Sequence, residues 1–229
     1  MTLRNTVAAE LIKLGTLPGV LAAVCATVLL PAGLAAVLAA GPPSAMASAL
    51  RSVEYAQAGL LVLGVLAVAS EYAGSQIRTT LAAVPGRMPL MAGKLVAYLL
   101  VASCTALLAV TGAVLAARLA DGAPSSDVDV AGLLRAAAYL VLIGLLGVAA
   151  ASLTREVIGA LGGLLVLVLV LPPVLRRVTT LADYLPGAAG ARMYQQGPGL
   201  TPLEGGLVLG AWLAVALACA AVTFAGRDA

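Results

Sequence analysis

Long apolar runs alternate with short polar interruptions along this chain. Six runs are apolar around the whole helical circumference: 18–40, 55–70, 95–117, 136–154, 157–175 and 205–226. An apolar run of about 18 or more residues is long enough to span a hydrocarbon core. A helix without a polar face has nothing to offer water, so these runs predict lipid-embedded α-helices. The run 55–70 is the shortest, with room to extend backward past Glu54. Pro18 opens the first run, a position where a helix tolerates proline. The fourth and fifth runs meet at Arg155–Glu156, which predicts a tight turn. The expected fold class is all-α, a polytopic membrane protein with six transmembrane helices in a single domain over residues 1–229.

Two stretches carry a different period. In Thr2–Thr16, Leu3, Val7, Leu11 and Leu14 fall on one helical face, with Arg4, Glu10 and Lys13 elsewhere. That pattern predicts an N-terminal amphipathic helix lying in a membrane interface. The second stretch, 71–94, joins the second and third runs. After Gly74, Ser75 is placed to cap a short helix over Gln76–Val84, which Pro85 halts. Ile77, Leu81 and Val84 form one apolar stripe on it. A helix of about nine residues is marginal alone in water, so it needs a surface to pack on. Pro85, Gly86 and Pro89 then return the chain toward the third run, with Arg87 and Lys94 expected near the headgroups. Glu71, at the C-terminal end of a helix, opposes the helix dipole and calls for a cation, which Arg78 or Lys94 would supply.

The remaining segments read more plainly. Residues 118–135 are rich in Gly, Pro, Ser and Asp, as a polar loop is. Residues 176–204 exceed what a connection needs, and their small and apolar residues suit short helices folded against the outer mouth. Trp212 and Tyr184 are candidate interface anchors. The spacings Gly159-x-x-x-Gly163 and Gly206-x-x-x-Gly210 permit close helix approach. Cys25, Cys104 and Cys219 all lie in apolar runs without metal-ligand spacing, and are expected to be packing residues.

Composition narrows the function classes. The chain is 62% hydrophobic and only 10% charged, against about 25% charged in soluble domains. A net charge of +3 without a basic tract gives no nucleic-acid footprint. The chain has no His, and its spans hold essentially no ionisable group of the kind ion-coupled carriers use. Asp121, Asp127 and Asp129 form the one carboxylate cluster, in a loop expected to be solvated. No catalytic or metal-binding residue is assigned, and the chain is not expected to be an enzyme. Arg4 and Lys13 ahead of a run ending VLAAG loosely imitate a signal peptide. The long polar lead and long run predict an uncleaved first span instead. Arg4, Lys13, Arg78, Arg87 and Lys94 crowd one side of the first half against Arg51 opposite, which predicts cytoplasmic termini.

The run E-Y-x-G-x-Q-I-R-T-T-L-x-A-V-P-x-R, with a Lys seven residues on, resembles the first cytoplasmic loop of type-2 ATP-binding-cassette (ABC) export permeases. It is carried here by Glu71, Tyr72, Gly74, Gln76, Ile77, Arg78, Thr79, Thr80, Leu81, Ala83, Val84, Pro85, Arg87 and Lys94. Gly86 stands where many relatives have a second basic residue. The N-terminal AAELIKLGTLPG and the closing GRDA are similar to that family's leading segment and tail. The resemblance implies a permease domain in a bacterial plasma membrane. Its loop would form a short cytoplasmic coupling helix docked on a separate ABC ATPase subunit, in two copies. Glu71, Tyr72, Gly74, Gln76, Ile77, Arg78, Leu81, Val84, Pro85, Arg87 and Lys94 are the implied ATPase-coupling residues. The chain has no G-x-x-x-x-G-K-[ST] cradle, so ATP and Mg²⁺ are expected on the partner chain and no cofactor on this one. A second permease copy or close paralogue, membrane lipid and a small amphiphilic substrate complete the implied partners. The rival reading is an ATP-independent multi-span protein, either a secondary transporter or a structural subunit.

Overall fold

The computed structural model describes residues 3–41, 44–73, 87–122, 129–195, 197 and 199–226, excepting the side chains of 70–73, 87–90 and 224–226. Five helices come first: α1 (Leu3–Thr16), α2 (Pro18–Ala39), α3 (Ala45–Ala73), α4 (Arg87–Asp121) and α5 (Val130–Thr154). Then α6 (Val157–Leu165) runs through a π-helical turn, Val166–Val170, into α7 (Leu171–Leu175). A 3₁₀ turn (Thr180–Tyr184), α8 (Pro186–Ala191) and α9 (Pro202–Gly226) complete the order. The described residues are predominantly helical, without strand, and six stretches are long and apolar enough to cross a membrane. They are Pro18–Ala39, Ala45–Ala69, Met91–Asp121, Val130–Thr154, Val157–Leu175 and Pro202–Thr223, the number a six-span protein requires.

The expected spans sit inside these helices, but several helices are longer. α3 starts at Ala45 rather than Tyr55, α4 at Arg87 rather than Leu95, and α5 at Val130 rather than Ala136. Polar residues mark where an apolar run ends, not where a helix ends. The 29 residues of α3 extend about 44 Å at 1.5 Å per residue, well over the roughly 30 Å of a hydrocarbon core. Arg51 and Glu54 therefore occupy turns that need not enter lipid. Pro89 falls in the first turn of α4, where a missing N–H costs nothing. Asp129 caps α5 by accepting from the Gly132 N–H at 2.8 Å. The Arg155 turn is as tight as expected, with Arg155 left-handed at φ 57°.

α3 and α5 form the axis of the bundle. Their spans are 67% and 72% buried, against 22–33% for the other four. Contacts advance together along both, Gln57 with Tyr139, Leu60 with Gly144 and Gly64 with Val148, so the two helices run parallel. Glycine permits the approach. A Cβ on Gly144 would lie 2.8 Å from the Leu60 carbonyl oxygen, and one on Gly147 would lie 2.6 Å from that of Leu61. A Cβ on Gly64 would collide with the Gly144 carbonyl. Tyr98 of α4 lies over Gly144 and donates its hydroxyl to the Val141 carbonyl at 3.3 Å. On the far side of α3, α2 seats Thr27 on Gly59.

Two expectations about packing are corrected. Gly162, Gly163 and Gly210 have nothing near a would-be Cβ, Gly159 meets its own-turn Glu156, and Gly206 meets Met193 no closer than 3.8 Å. The close approaches use Gly59, Gly64, Gly144 and Gly147, whose spacing does not stand out in a glycine-rich chain. The three cysteines are exposed on outer helix faces rather than packed inside, because an apolar run is uniform in composition and only one face turns inward.

Gly144→Val should destabilise the fold by about 1–3 kcal/mol through overpacking, seen as a lower thermal unfolding midpoint of the purified protein. Gly162→Val should leave that midpoint unchanged. Equal midpoints for the two variants would contradict the close approach of α3 and α5.

Candidate functional site

The expected coupling segment has its two roots in the described structure. Glu71 and Tyr72 lie in the last turn of α3, and Arg87 opens α4. Gly74, Gln76, Ile77, Arg78, Leu81, Val84 and Pro85 lie outside the described residues, as does the proposed Ser75 cap. Lys94 is placed differently from expectation. It belongs to α4, about 10 Å from the helix start at 1.5 Å per residue, and is 6% exposed. Its Nζ lies 2.8 Å from Oε1 of Glu10 on α1. Lys94 thus lies within a helix and against α1 instead of in the loop ahead of the third span, because α4 begins before the lysine instead of after it.

The same contact revises α1. The expected apolar face was Leu3, Val7, Leu11 and Leu14, with Glu10 outside it. The fully buried line is Thr6, Glu10 and Leu14, with Val7 and Leu11 partly buried beside it and Leu3 half exposed. Gly93 makes room for this face, since a Cβ there would lie 2.6 Å from Thr6 Cγ2. Lys13 approaches the other Glu10 oxygen at 3.7 Å. Hydrophobic periodicity passes over a carboxylate whose countercharge arrives from a distant part of the chain. A buried ion pair contributes little net stability, but removing one partner strands a desolvated charge. Glu10 and Lys94 therefore fix the register of α1 on α4.

The opposite end holds a second polar cluster around a cavity of about 410 Å³. Glu54, Gln57, Tyr139, Arg176, Arg192 and Gln195 supply its polar lining, and Val168, Leu169, Pro172 and Pro173 much of its apolar wall. The wall follows from the sequence. In an α-helix residue 172 would donate to the Val168 carbonyl, and in a π-helix residue 173 would. Both are proline, so that carbonyl has no helical donor in either register. Gly187 of α8 packs against it instead; a Cβ there would lie 2.6 Å from the oxygen. Gly190 seats the same short helix on the Tyr139 ring.

Polar groups around the cavity are joined to one another. The Tyr139 hydroxyl donates to Gln57 Oε1, and the Gln195 amide donates to Glu54 Oε1 at 2.9 Å. Asp183 accepts from Arg176 Nε at 3.2 Å and lies 4.0 Å from Arg192. Tyr194 stacks obliquely on Tyr139, with centroids 5.4 Å apart. Burial foremost, with Tyr139 and then Glu54 adding, holds the Tyr194 hydroxyl well above the ordinary phenol range, so it stays neutral. Trp212 donates its indole N–H to the Tyr184 carbonyl at 2.9 Å, bringing the two expected anchors together. The segment 176–204 thus forms short helices, as expected. Its cavity is what the sequence reading missed, and Pro172–Pro173 ahead of Gly187 and Gly190 was the available signal. Among the described residues no group of three His, Cys, Asp or Glu converges on a metal site.

Glu10→Ala and Lys94→Ala should each cost about 3–5 kcal/mol in the docking of α1, measured as a lower unfolding midpoint and faster proteolysis of α1. Glu10→Leu combined with Lys94→Met should recover most of the loss. Single variants that behave like the parent would contradict a buried pair. A comparison with protein-family models finds no match to this chain, and a comparison with curated proteins finds none either.

Proposed function

We propose that this chain is the membrane-spanning permease subunit of an ATP-driven ABC exporter in a bacterial plasma membrane, with both termini cytoplasmic. On this reading it pairs with a second permease copy or a close paralogue and with two separate ATPase subunits. The complex carries a hydrophobic or amphiphilic compound outward. The observation that carries the reading is the 71–94 segment, whose E-Y-x-G-x-Q-I-R-T-T-L-x-A-V-P-x-R run resembles the coupling loop of that family. Its two ends are rooted in α3 and α4. α3 belongs to the bundle axis, and α4 holds α1 through Lys94. A push on this segment would therefore reach one of the two axis helices and the helix next to it.

Roles follow for the predicted residues. On this reading Ile77, Leu81 and Val84 would supply the apolar contact with the ATPase and Pro85 would stop the short helix predicted from the sequence. Gly74 and Gln76 would shape its start, while Glu71, Tyr72, Arg78 and Arg87 would provide the polar frame. Lys94 acts from inside α4 by holding Glu10. α1 lies along the cytoplasmic leaflet, with Leu3 and Ile12, both exposed from the bundle, available to lipid.

The test is co-expression with candidate ABC ATPase chains from the same genome, followed by purification and hydrolysis assays in liposomes. ATP hydrolysis should require both chains. Ile77→Asp or Leu81→Asp should abolish co-purification while leaving the unfolding midpoint of the permease unchanged. Normal assembly of both variants, or cargo movement with no nucleotide hydrolysed, would sink the proposal.

A further inference from the structure

Charges of both signs line the α8 cavity, and a single class of ligand would match them. Arg176 and Arg192 bring two guanidinium groups, which share Asp183 as their carboxylate among the described residues. Glu54 brings a carboxylate, which among the described residues accepts from the neutral amide of Gln195. The four formal charges cancel, yet positive and negative poles face the same cavity. Arg176 engages Asp183 through Nε alone, so both of its terminal amino groups lack a partner among the described residues. Gln57 is 6% exposed and uses Oε1 for Tyr139, which leaves its amide N–H₂ toward the cavity it lines.

Size and wall chemistry add to this. About 410 Å³ falls within the range of roughly 300–1,000 Å³ typical of small-ligand sites. Val168, Leu169, Pro172 and Pro173 continue the polar lining into an apolar wall formed by a helix long enough to cross a membrane. A ligand suited to both parts has a two-signed polar head and an apolar tail.

We propose that this cavity binds the headgroup of a zwitterionic amphiphile of the phospholipid type. Its phosphate meets Arg176 and Arg192, its ammonium meets Glu54, and an acyl chain runs along Leu169 and Pro173. Arginine suits the anionic pole because its planar fork donates two parallel hydrogen bonds to phosphate oxygens. Gly187 and Gly190 keep α8 close enough to the π-helical turn and to α5 to close the site. The property belongs to this chain alone and needs no ATPase, so it stands or falls apart from the transport reading.

The experiment titrates the purified full chain in detergent with dihexanoyl phosphatidylethanolamine, dihexanoyl phosphatidylglycerol and free phosphoethanolamine, read by calorimetry. The zwitterionic lipid should bind most tightly. Glu54→Gln should weaken it by at least about tenfold while leaving the phosphatidylglycerol affinity unchanged. Arg192→Gln should weaken both lipids. A thermal melt checks that each variant is folded, and the exposed position of Glu54 makes Glu54→Gln structurally mild. Gly187→Val, which thrusts a side chain onto the Val168 carbonyl, should weaken the zwitterionic lipid as well. No binding by the parent chain, or lipid binding indifferent to Glu54 and Arg192, would overturn the proposal. Phosphoethanolamine binding as tightly as the lipid would overturn the amphiphile assignment in favour of a soluble zwitterion.

Discussion

The backbone-to-backbone approach of α3 and α5 at Gly64, Gly144 and Gly147 is the constraint on which the rest of the bundle depends. Lipid chains are as apolar as leucine, so helices in a bilayer gain little from hiding apolar surface from one another. They gain from dispersion contacts that only close backbones provide. Three glycines on two helices supply that closeness, and carbonyl oxygens of Leu60, Leu61 and Gly144 fill the space that side chains would otherwise take. With this axis set, α2 reaches α3 through Thr27 and Gly59, and α4 reaches α5 through Tyr98 over Gly144. Small residues serve the same purpose toward the end of α2, where Ala35, Ala39, Ala45, Ala49, Ala113 and Ala117 form a satellite core.

The second half of the chain is built on a defect rather than on close-packed helices. Two adjacent prolines withhold donors from the last turns of the fifth span, and the helix widens to a π-turn just before them. An α-helix that ended there would expose an unserved carbonyl in a region poor in water. α8 covers it with a glycine, and the chain must double back to do so. The cavity is what remains between this returning segment and the N-terminal halves of α3 and α5. Its polar residues come from four stretches, at 54–57, 139, 176 and 192–195, which only the fold brings together.

How much of this was legible follows from the kind of signal each feature leaves. The six spans are legible because lipid demands apolar residues on every side, a requirement that local composition records. The Arg155–Glu156 turn is legible because two charged residues between two apolar runs have one way out of the bilayer. Helix ends are less legible, since a helix continues into water at no cost that hydropathy registers. The inward face of each span is hardly legible at all. Cys25, Cys104 and Cys219 look like core residues by composition yet turn outward, and Gly159 and Gly163 have motif spacing yet pack on no neighbouring helix. Glu10 shows the limit most clearly. Nothing within its own helix says that a carboxylate belongs on the buried face, because its partner lies 84 positions away.

That pair also determines how movement can pass between helices. An apolar contact between α1 and α4 would let the helices slide, because one methyl group substitutes for another at little cost. A carboxylate and an ammonium at 2.8 Å, both more than nine-tenths buried, have no such tolerance. Separating them by even a few ångströms gives up a close contact between two desolvated charges, at a cost of about several kcal/mol. α1 and the first turns of α4 therefore shift as one body or not at all. On the proposed reading, work delivered at 74–86 enters α4 two turns before Lys94, so α1 is carried with it. The span 157–175, by contrast, is only 22% buried and meets the core through small and apolar residues, Ala160, Leu164 and Val168.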